Sequence, residues 1–213
     1  MTQLRRVNSS RNASNAMRST GNHPAYYMLR IPKPPSDSQA SDFAALRLLA
    51  LKSDPSSFSS TYEREVAYTP DQWKARLSAP ESATFVLSYL PSVERAETEW
   101  IGTVSVLIPS HLTFKALEPL RGAGVGKGGE IYLLVGMWVA QDHRGRGLGK
   151  KLVHDAMEWV RDHADAEGIE RAVLALQVSA TNEIGRSLYI GMGFEPVPDA
   201  KDEHEWLTIS MAR

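Results

Sequence analysis

A glycine-rich turn follows an apolar strand and leads into a helix in the segment MWVAQDHRGRGLGK, residues 137–150. Its glycines are Gly145, Gly147 and Gly149, and its basic residues are Arg144, Arg146 and Lys150. Glycines let a backbone approach a ligand closely and adopt φ values that other residues resist, so several amides can point at one phosphate. The helix N-terminus adds a partial positive charge, and the basic side chains add full ones. The segment therefore predicts a binding site for a diphosphate.

Two other kinds of nucleotide-binding loop fit this segment poorly. A Walker loop needs Gly-x-x-x-x-Gly-Lys-Ser/Thr, which the segment lacks. A dinucleotide fingerprint needs Gly-x-Gly-x-x-Gly, and Lys150 stands where the third glycine would be. A nicotinamide-binding module would also need a second parallel β-α-β half. The glycine-rich stretch at residues 121–130 is predicted to be a loop, and not a phosphate loop, because Gly126-Lys127 is followed by glycine.

A second informative segment is NEIGRSLYIGMGF, residues 182–194. The first eight residues are typical of a helix, and Asn182 and Tyr189 lie seven positions apart in it. Seven residues are about two helical turns, so both side chains point to the same face. Both can therefore face one ligand.

Together the two segments resemble the GNAT superfamily of N-acetyltransferases. The turn is similar to the family's coenzyme A pyrophosphate loop, Arg/Gln-x-x-Gly-x-Gly/Ala, with Arg144, Gly147 and Gly149 at the fixed positions. The second segment is similar to the pattern Asn-x-x-Ala-x-x-Leu-Tyr followed by Gly-Phe, and Gly185 stands where alanine is usual. The resemblance covers about residues 26–211.

The resemblance implies that an acetyl group passes from acetyl-CoA directly to a primary amine of a small molecule or peptide. It implies that the strand carrying Met137 and Val139 splays from its parallel neighbour and binds the pantetheine arm through its backbone. Tyr189 is expected to protonate the departing thiolate. Glu130, the nearest carboxylate by sequence, is the candidate base, with His111, Glu118 or a water chain as alternatives. The predicted coenzyme-binding residues are Met137, Trp138, Val139, Arg144, Gly145, Arg146, Gly147, Leu148, Gly149, Lys150 and Asn182.

The order of predicted elements indicates the fold class. Two helices come early, then antiparallel strands, then a β-α-β-α-β run. The predicted strands are residues 26–31, 84–90, 100–108, 131–139, 172–178 and 206–211, and the predicted helices run from Ser41 or Asp42 to Asp54, and over 70–77, 149–166 and 182–192. We expect one α/β domain at residues 25–213 with a mixed central sheet, antiparallel N-terminal strands, a splayed parallel pair and helices on both faces. Residues 1–24 are expected to be a flexible tail, since they contain few large apolar side chains.

Composition excludes several classes of function. The 213 residues contain no cysteine, which rules out disulfides, thiolate zinc sites and acyl transfer through a protein sulfur, and no metal site is expected. The net charge of −1 argues against nucleic-acid binding. No apolar run reaches the roughly 18 to 20 residues of a membrane span. We expect a cytoplasmic protein, although the Arg/Ser-rich N-terminus also resembles a mitochondrial transit peptide.

The acceptor amine is not identified by the sequence. Its site is expected between the first helices, the connection at residues 53–64 and the loop before the last strand, where Phe58, Tyr62 and Glu63 could hold a cation. A non-catalytic acyl-CoA sensor is the alternative function, and Tyr189 argues against it because a sensor needs no acid at the sulfur. A homodimer is left open.

Overall fold

The computed structural model describes residues 25–91, 98–200 and 202–211. Its strands are β1 (Ala25–Arg30), β2 (Ser82–Leu90), β3 (Glu99–Leu107), β4 (Glu130–Val139), β5 (Ala172–Val178), β6 (Glu195–Pro196) and β7 (Glu205–Ser210). They form one sheet in the order β1-β2-β3-β4-β5-β7-β6. Only β4 and β5 are parallel neighbours among these strands. The predicted mixed sheet is confirmed, and the predicted tail at residues 1–24 lies outside the described residues.

The helices are α1 (Asp37–Ser53), α2 (Tyr62–Glu65), α3 (Pro70–Ser78), α4 (Phe114–Gly122), α5 (Leu148–Ala166) and α6 (Glu183–Ile190). Short 3-10 turns stand at Pro55–Ser57, Pro109–His111 and Gln141–His143. Helix α1 begins earlier than its apolar spacing predicts, because Ser36 and Gln39 form a capping box at its start. Helix α4 was not predicted; it ends in the stretch that the sequence analysis assigns to a loop. No helix in the described part of the chain is both long and apolar enough to span a bilayer.

Helices cover both faces of the sheet. Trp138 and Val139 are neighbours on β4, and their side chains therefore point to opposite faces. Val139 packs in the cluster that contains the buried face of α5, whose members are Leu148, Leu152, Val153, Ala156, Met157, Val160 and Ala164. Trp138 packs in the cluster of α1 and α3, which includes Phe43, Leu46, Ala50, Trp73 and Leu77. The central strand is thus held from both sides.

Strands β4 and β5 separate part-way along their length. They pair from Glu130 with Ala172 to Leu133 with Ala175, and both strands then continue without pairing to each other. Beyond that point β4 pairs only with β3, and β5 only with β7. The predicted splayed pair is confirmed. We call the gap between the unpaired parts of β4 and β5 the opening.

A β-bulge lies on β4 beside the opening. Gly102 and Thr103 of β3 face Val139 and Trp138, but Ser105 faces Val135, so β4 has one more residue than β3 between these pairs. Gly136 stands in this interval with φ +63°, a left-handed conformation that favours glycine.

A buried ion pair joins the early helices. Arg47 of α1 and Glu65 of α2 are 6% and 2% exposed, and the guanidinium grips the carboxylate with both Nε (3.0 Å) and Nη2 (2.9 Å). Arg76 of α3 donates to the same carboxylate at 3.0 Å. Burial alone would raise the pKa of Glu65, but the donors around it and the two positive charges outweigh that effect and hold the pKa below its usual value.

Acid should therefore destabilise the protein partly through Glu65. Because the pKa is lowered in the folded state, its stabilising contribution is present above the ordinary pKa of 4.5 and is lost as the pH falls through the lower folded value. The Glu65→Gln variant cannot titrate there, so its free energy of unfolding should depend less steeply on pH in the acid range. Urea unfolding from about pH 6 to about pH 3 measures the two slopes. Equal slopes would show that Glu65 does not contribute.

Candidate active site

The turn after β4 presents unpartnered amides. Gly145 and Gly147 have φ values of +75° and +76°, and Gly147 caps α5 without any side-chain bond. The first amide to bond back is that of Lys151, to the carbonyl of Gly147. Within the described residues, the amides of residues 145–150 have no hydrogen-bond partner. The turn can therefore donate several hydrogen bonds to an anion.

The Arg144 side chain is bonded to the protein itself and holds the start of this turn in place. Its Nε donates to the Val139 carbonyl at 2.8 Å, and its Nη2 donates to Asp54 at 2.6 Å. The Trp138 indole donates to the same carboxylate at 2.7 Å. Burial would raise the pKa of Asp54, but the bonds from Arg144 and Trp138 lower it overall. The charge of Arg144 is thus already matched, and the exposed Arg146 and Lys150 are the cations left to meet a phosphate.

The backbone of Val139 keeps one group free on the side of the opening. Ala140 donates to Ile101 of β3, and backbone groups of successive strand residues point to opposite edges. The amide and carbonyl of Val139 therefore point away from β3. Since the Val139 carbonyl accepts a hydrogen bond from Arg144, the Val139 N–H is the group that remains to bind an extended ligand lying along β4.

The two sequence segments meet at the start of α5. A Cβ added to Gly149 would lie 2.8 Å from Cδ1 of Leu188 on α6 and 3.8 Å from Cε of Met137 on β4. An alanine here would require the Leu188 side chain to move, so the glycine favours the close approach of α5 and α6. The turn, the central strand and α6 therefore converge on one place beside the opening.

Asn182 lies at the start of α6. Its Oδ1 accepts a hydrogen bond from the Gly185 amide at 2.9 Å and caps the helix, while its Nδ2 has no partner within the described chain. A Cβ on Gly185 would lie 2.8 Å from that Nδ2. The unusual glycine at this position thus lets the cap fold against the helix, and the free amide can still donate to a ligand.

Tyr189 is buried on α6. It is 7% exposed and its ring meets Phe194 edge-on at 5.7 Å. Its hydroxyl has no hydrogen-bond partner among the described residues. Every side-chain oxygen of these residues that is fully enclosed does have a partner, so the Tyr189 oxygen is not fully enclosed and solvent can reach it. Burial raises the pKa of Tyr189, so the hydroxyl keeps its proton at neutral pH. It is suited to donate a proton and not to take one.

Glu130 lies away from this place. It is the exposed first residue of β4, its amide donates to Arg171, and it pairs with Ala172 where β4 and β5 are still joined. At about 3.3 Å per residue it is roughly 30 Å from Val139. The expectation that Glu130 is the base gains no support, because its side chain starts on the closed side of the splay. His111 and Glu118 are also exposed, in the 3-10 turn and on α4.

Of the three residues predicted to hold the acceptor, Phe58 already contacts a cation of the protein itself. Phe58 stacks on the chain's own Arg47, whose Cζ is 4.4 Å from the ring centre. Tyr62 is half-buried and Glu63 is exposed. Asp54 was missed as a site residue, because its partners Trp138 and Arg144 are distant from it in sequence.

The comparisons with known proteins decide the family. The model of the acetyltransferase (GNAT) family matches residues 45–194, which is most of the chain. The chain belongs to the GNAT acetyltransferase family. Enzymes of this GNAT family transfer acetyl groups and use acetyl-CoA, and the unpartnered amides, the exposed cations and the opening fit that coenzyme.

Solved structures agree on the GNAT fold. A GNAT-family acetyltransferase from Streptococcus pneumoniae matches with a TM-score of 0.55 and 18% identity, over 86% of this chain and 99% of that one. The PaiA N-acetyltransferase from Thermoplasma acidophilum in complex with coenzyme A gives 0.53 and 14%, over 85% and 98%. Arabidopsis thaliana NAA60 in complex with a bisubstrate analogue gives 0.52 and 17%, over 86% and 98%. No curated protein sequence matches the chain.

Asp54 should matter for coenzyme affinity without touching the coenzyme. In Asp54→Asn the carboxylate that holds Arg144 and Trp138 becomes neutral, so the guanidinium is held less firmly and the turn is less well ordered. Losing one charge-assisted bond at a half-exposed site should weaken acetyl-CoA binding a few-fold. Calorimetry measures the dissociation constant. The matched control is Asp37→Asn, which removes a carboxylate paired with Lys74 on the surface and should leave the affinity unchanged.

Proposed function

We propose that this GNAT enzyme is an N-acetyltransferase that acetylates a primary amine of a small molecule or peptide. One observation carries the proposal: the buried Tyr189, whose hydroxyl is protonated and unpartnered, lies on α6, the helix that packs against the start of α5, where the glycine-rich turn ends. An acetyl-CoA sensor would need the turn but not an acid of this kind.

Acetyl-CoA supplies an activated acetyl group: the amine nitrogen bonds to the thioester carbonyl carbon, the carbon–sulfur bond breaks, and the products are an amide and coenzyme A. The residues of the turn bind and orient the donor through the amides at residues 145–150, helped by Arg146, Lys150 and the free amide of Asn182. The N–H of Val139 is placed to hold the pantetheine arm along β4. We assign backbone donors of β4 to the developing negative charge on the carbonyl oxygen.

Two protons leave the acceptor nitrogen in this scheme. Tyr189 gives its hydroxyl proton to the sulfur that leaves. The nitrogen must lose a second proton once it has bonded to the carbonyl carbon, and this proton, passed on by water, restores the Tyr189 hydroxyl. The acceptor ammonium must lose a proton before it can attack, and we propose that water takes that proton, since Glu130 starts on the closed side of the splay. The value of kcat/KM should then rise with pH until the acceptor amine itself is deprotonated.

A panel of amines tests the proposal on the purified full chain. Each amine is added with acetyl-CoA, released thiol is followed, and products are examined by mass spectrometry. The expected result is thiol release that depends on the amine and yields an N-acetylated product. Tight acetyl-CoA binding without amine-dependent release would support the sensor instead, and acetylation of a hydroxyl would contradict the amine assignment.

A further inference from the structure

Arg47 has a donor group that the buried ion pair does not use. Its side chain is 7% exposed, yet Glu65 engages only Nε and Nη2. Within the described residues, Nη1 has no hydrogen-bond partner. Every side-chain nitrogen of these residues that is fully enclosed has a partner, so Nη1 is not fully enclosed and solvent can reach it. A buried guanidinium thus has unpaired N–H groups on an atom that solvent can reach.

The Nη1 atom adjoins the bulge of β4. A Cβ added to Gly136 would lie 3.7 Å from Nη1 of Arg47. Gly136 lies three residues beyond Leu133, where the pairing of β4 with β5 ends. The free donors are therefore beside the opening on the side of α1, whereas Val139 packs on the side of α5.

The guanidinium is held rigidly and its surroundings favour an anion. Glu65 grips one edge of it, and the Phe58 ring lies 4.4 Å from its Cζ. The Glu65 carboxylate also accepts a hydrogen bond from Arg76 at 3.0 Å, so the cluster of Arg47, Arg76 and Glu65 contains two positive charges and one negative charge. A preorganised guanidinium with excess positive charge binds a carboxylate more strongly than a neutral carbonyl.

We propose that Nη1 of Arg47 binds a carboxylate of the acceptor, so the preferred substrates are amines that also carry a carboxylate, as free amino acids do. This inference rests on the proposed N-acetyltransferase function and narrows its acceptor class. Polyamines, whose charge is wholly positive, are disfavoured by the same guanidinium.

Matched acceptors test the inference. Each free amino acid of a panel is compared with its amide and with the amine that lacks the carboxyl group, at saturating acetyl-CoA. In the wild-type protein the carboxylate form should have the highest kcat/KM, by about 10- to 100-fold, as expected for one charge-assisted hydrogen bond in a partly buried site. The ratio between two acceptors is independent of how much of the protein is folded.

Arg47→Lys should remove most of this preference. Lysine can still pair with Glu65 but lacks the second fork of the guanidinium. The acceptor KM should rise while the KM for acetyl-CoA stays the same. Arg76→Lys is the matched control, because Arg76 contacts the same carboxylate and its side chain is 41% exposed, and it should keep the preference.

The outcomes distinguish the proposed N-acetyltransferase function from the proposed role of Arg47. If no amine is acetylated, the proposed function fails. If amines are acetylated and the acid, amide and decarboxylated forms react equally, only the role of Arg47 is wrong. Preference for amides would indicate a peptide acceptor and would overturn the inference, as would an Arg47→Lys variant that changes the KM for acetyl-CoA alone.

Discussion

The Tyr189→Phe variant is expected to lower kcat about 100-fold and to leave the affinity for acetyl-CoA nearly unchanged. Phenylalanine keeps the ring and its edge-on contact with Phe194. It removes only the hydroxyl, which has no partner among the described residues and whose pKa is raised by burial. The departing thiolate then loses its proton donor, whereas the contacts of the coenzyme with the turn persist. Steady-state kinetics with an amine acceptor, together with calorimetry, measures both quantities.

Tyr132→Phe provides the control for this experiment. Tyr132 of β4 is fully buried, its hydroxyl is 2.9 Å from Nδ1 of His163, and burial raises its pKa to about 12. This hydroxyl is thus tied to α5, so its loss should lower stability without changing kcat. Equal kcat values for wild type and Tyr189→Phe, or a large loss of acetyl-CoA affinity, would show that Tyr189 has another role.

The second large effect is expected from the turn. Gly145 and Gly147 have positive φ values, and nothing lies within 4 Å of a Cβ added to either, so alanine is opposed only by its backbone conformation. That conformation costs about 1–2 kcal/mol at each position. Because the amides of the turn make no internal bonds, the unliganded turn can relax, and the strain returns when a ligand binds. The double variant Gly145→Ala/Gly147→Ala should therefore weaken acetyl-CoA binding by about 30- to 1000-fold.

Gly168→Ala is the matched control for the turn. Gly168 has φ +69° and equally open surroundings, but it lies just past the opposite end of α5. Its strain should appear as a lower melting temperature with unchanged acetyl-CoA affinity. A double turn variant that melts earlier yet binds acetyl-CoA as tightly as wild type would refute this role of the turn.

Local patterns predicted most of the fold. The alternation of apolar runs and amphipathic helices from Ile131 onward indicated β4, α5, β5 and α6, because each element fills a separate stretch with its own period. Helix α4 was missed, since Pro119 lies inside it and glycines follow it, and both are typical of loops. The earlier start of α1 depends on Ser36, whose cap stands before the apolar positions begin.

The sequence predicted where the backbone of the site lies better than it predicted which side chains pair with each other there. A glycine-rich turn is a local feature and can be recognised from a few residues. The pairing of Arg144 with Asp54 spans 90 positions, and that of Arg47 with Glu65 spans 18 positions between two helices. Such contacts depend on how separate elements pack together in the fold, which no local spacing encodes. The sequence therefore showed that Arg144 is present but not that its charge is already paired.

The central claim is that the amides of the turn bind the diphosphate of coenzyme A. The most direct measurement labels the glycine nitrogens of the protein isotopically and follows each amide by NMR as coenzyme A is added. The amides of Gly145, Gly147 and Gly149 should shift strongly, while those of Gly124 and Gly168 stay in place. No shift at the turn under saturating coenzyme A, or shifts confined to other glycines, would contradict the account.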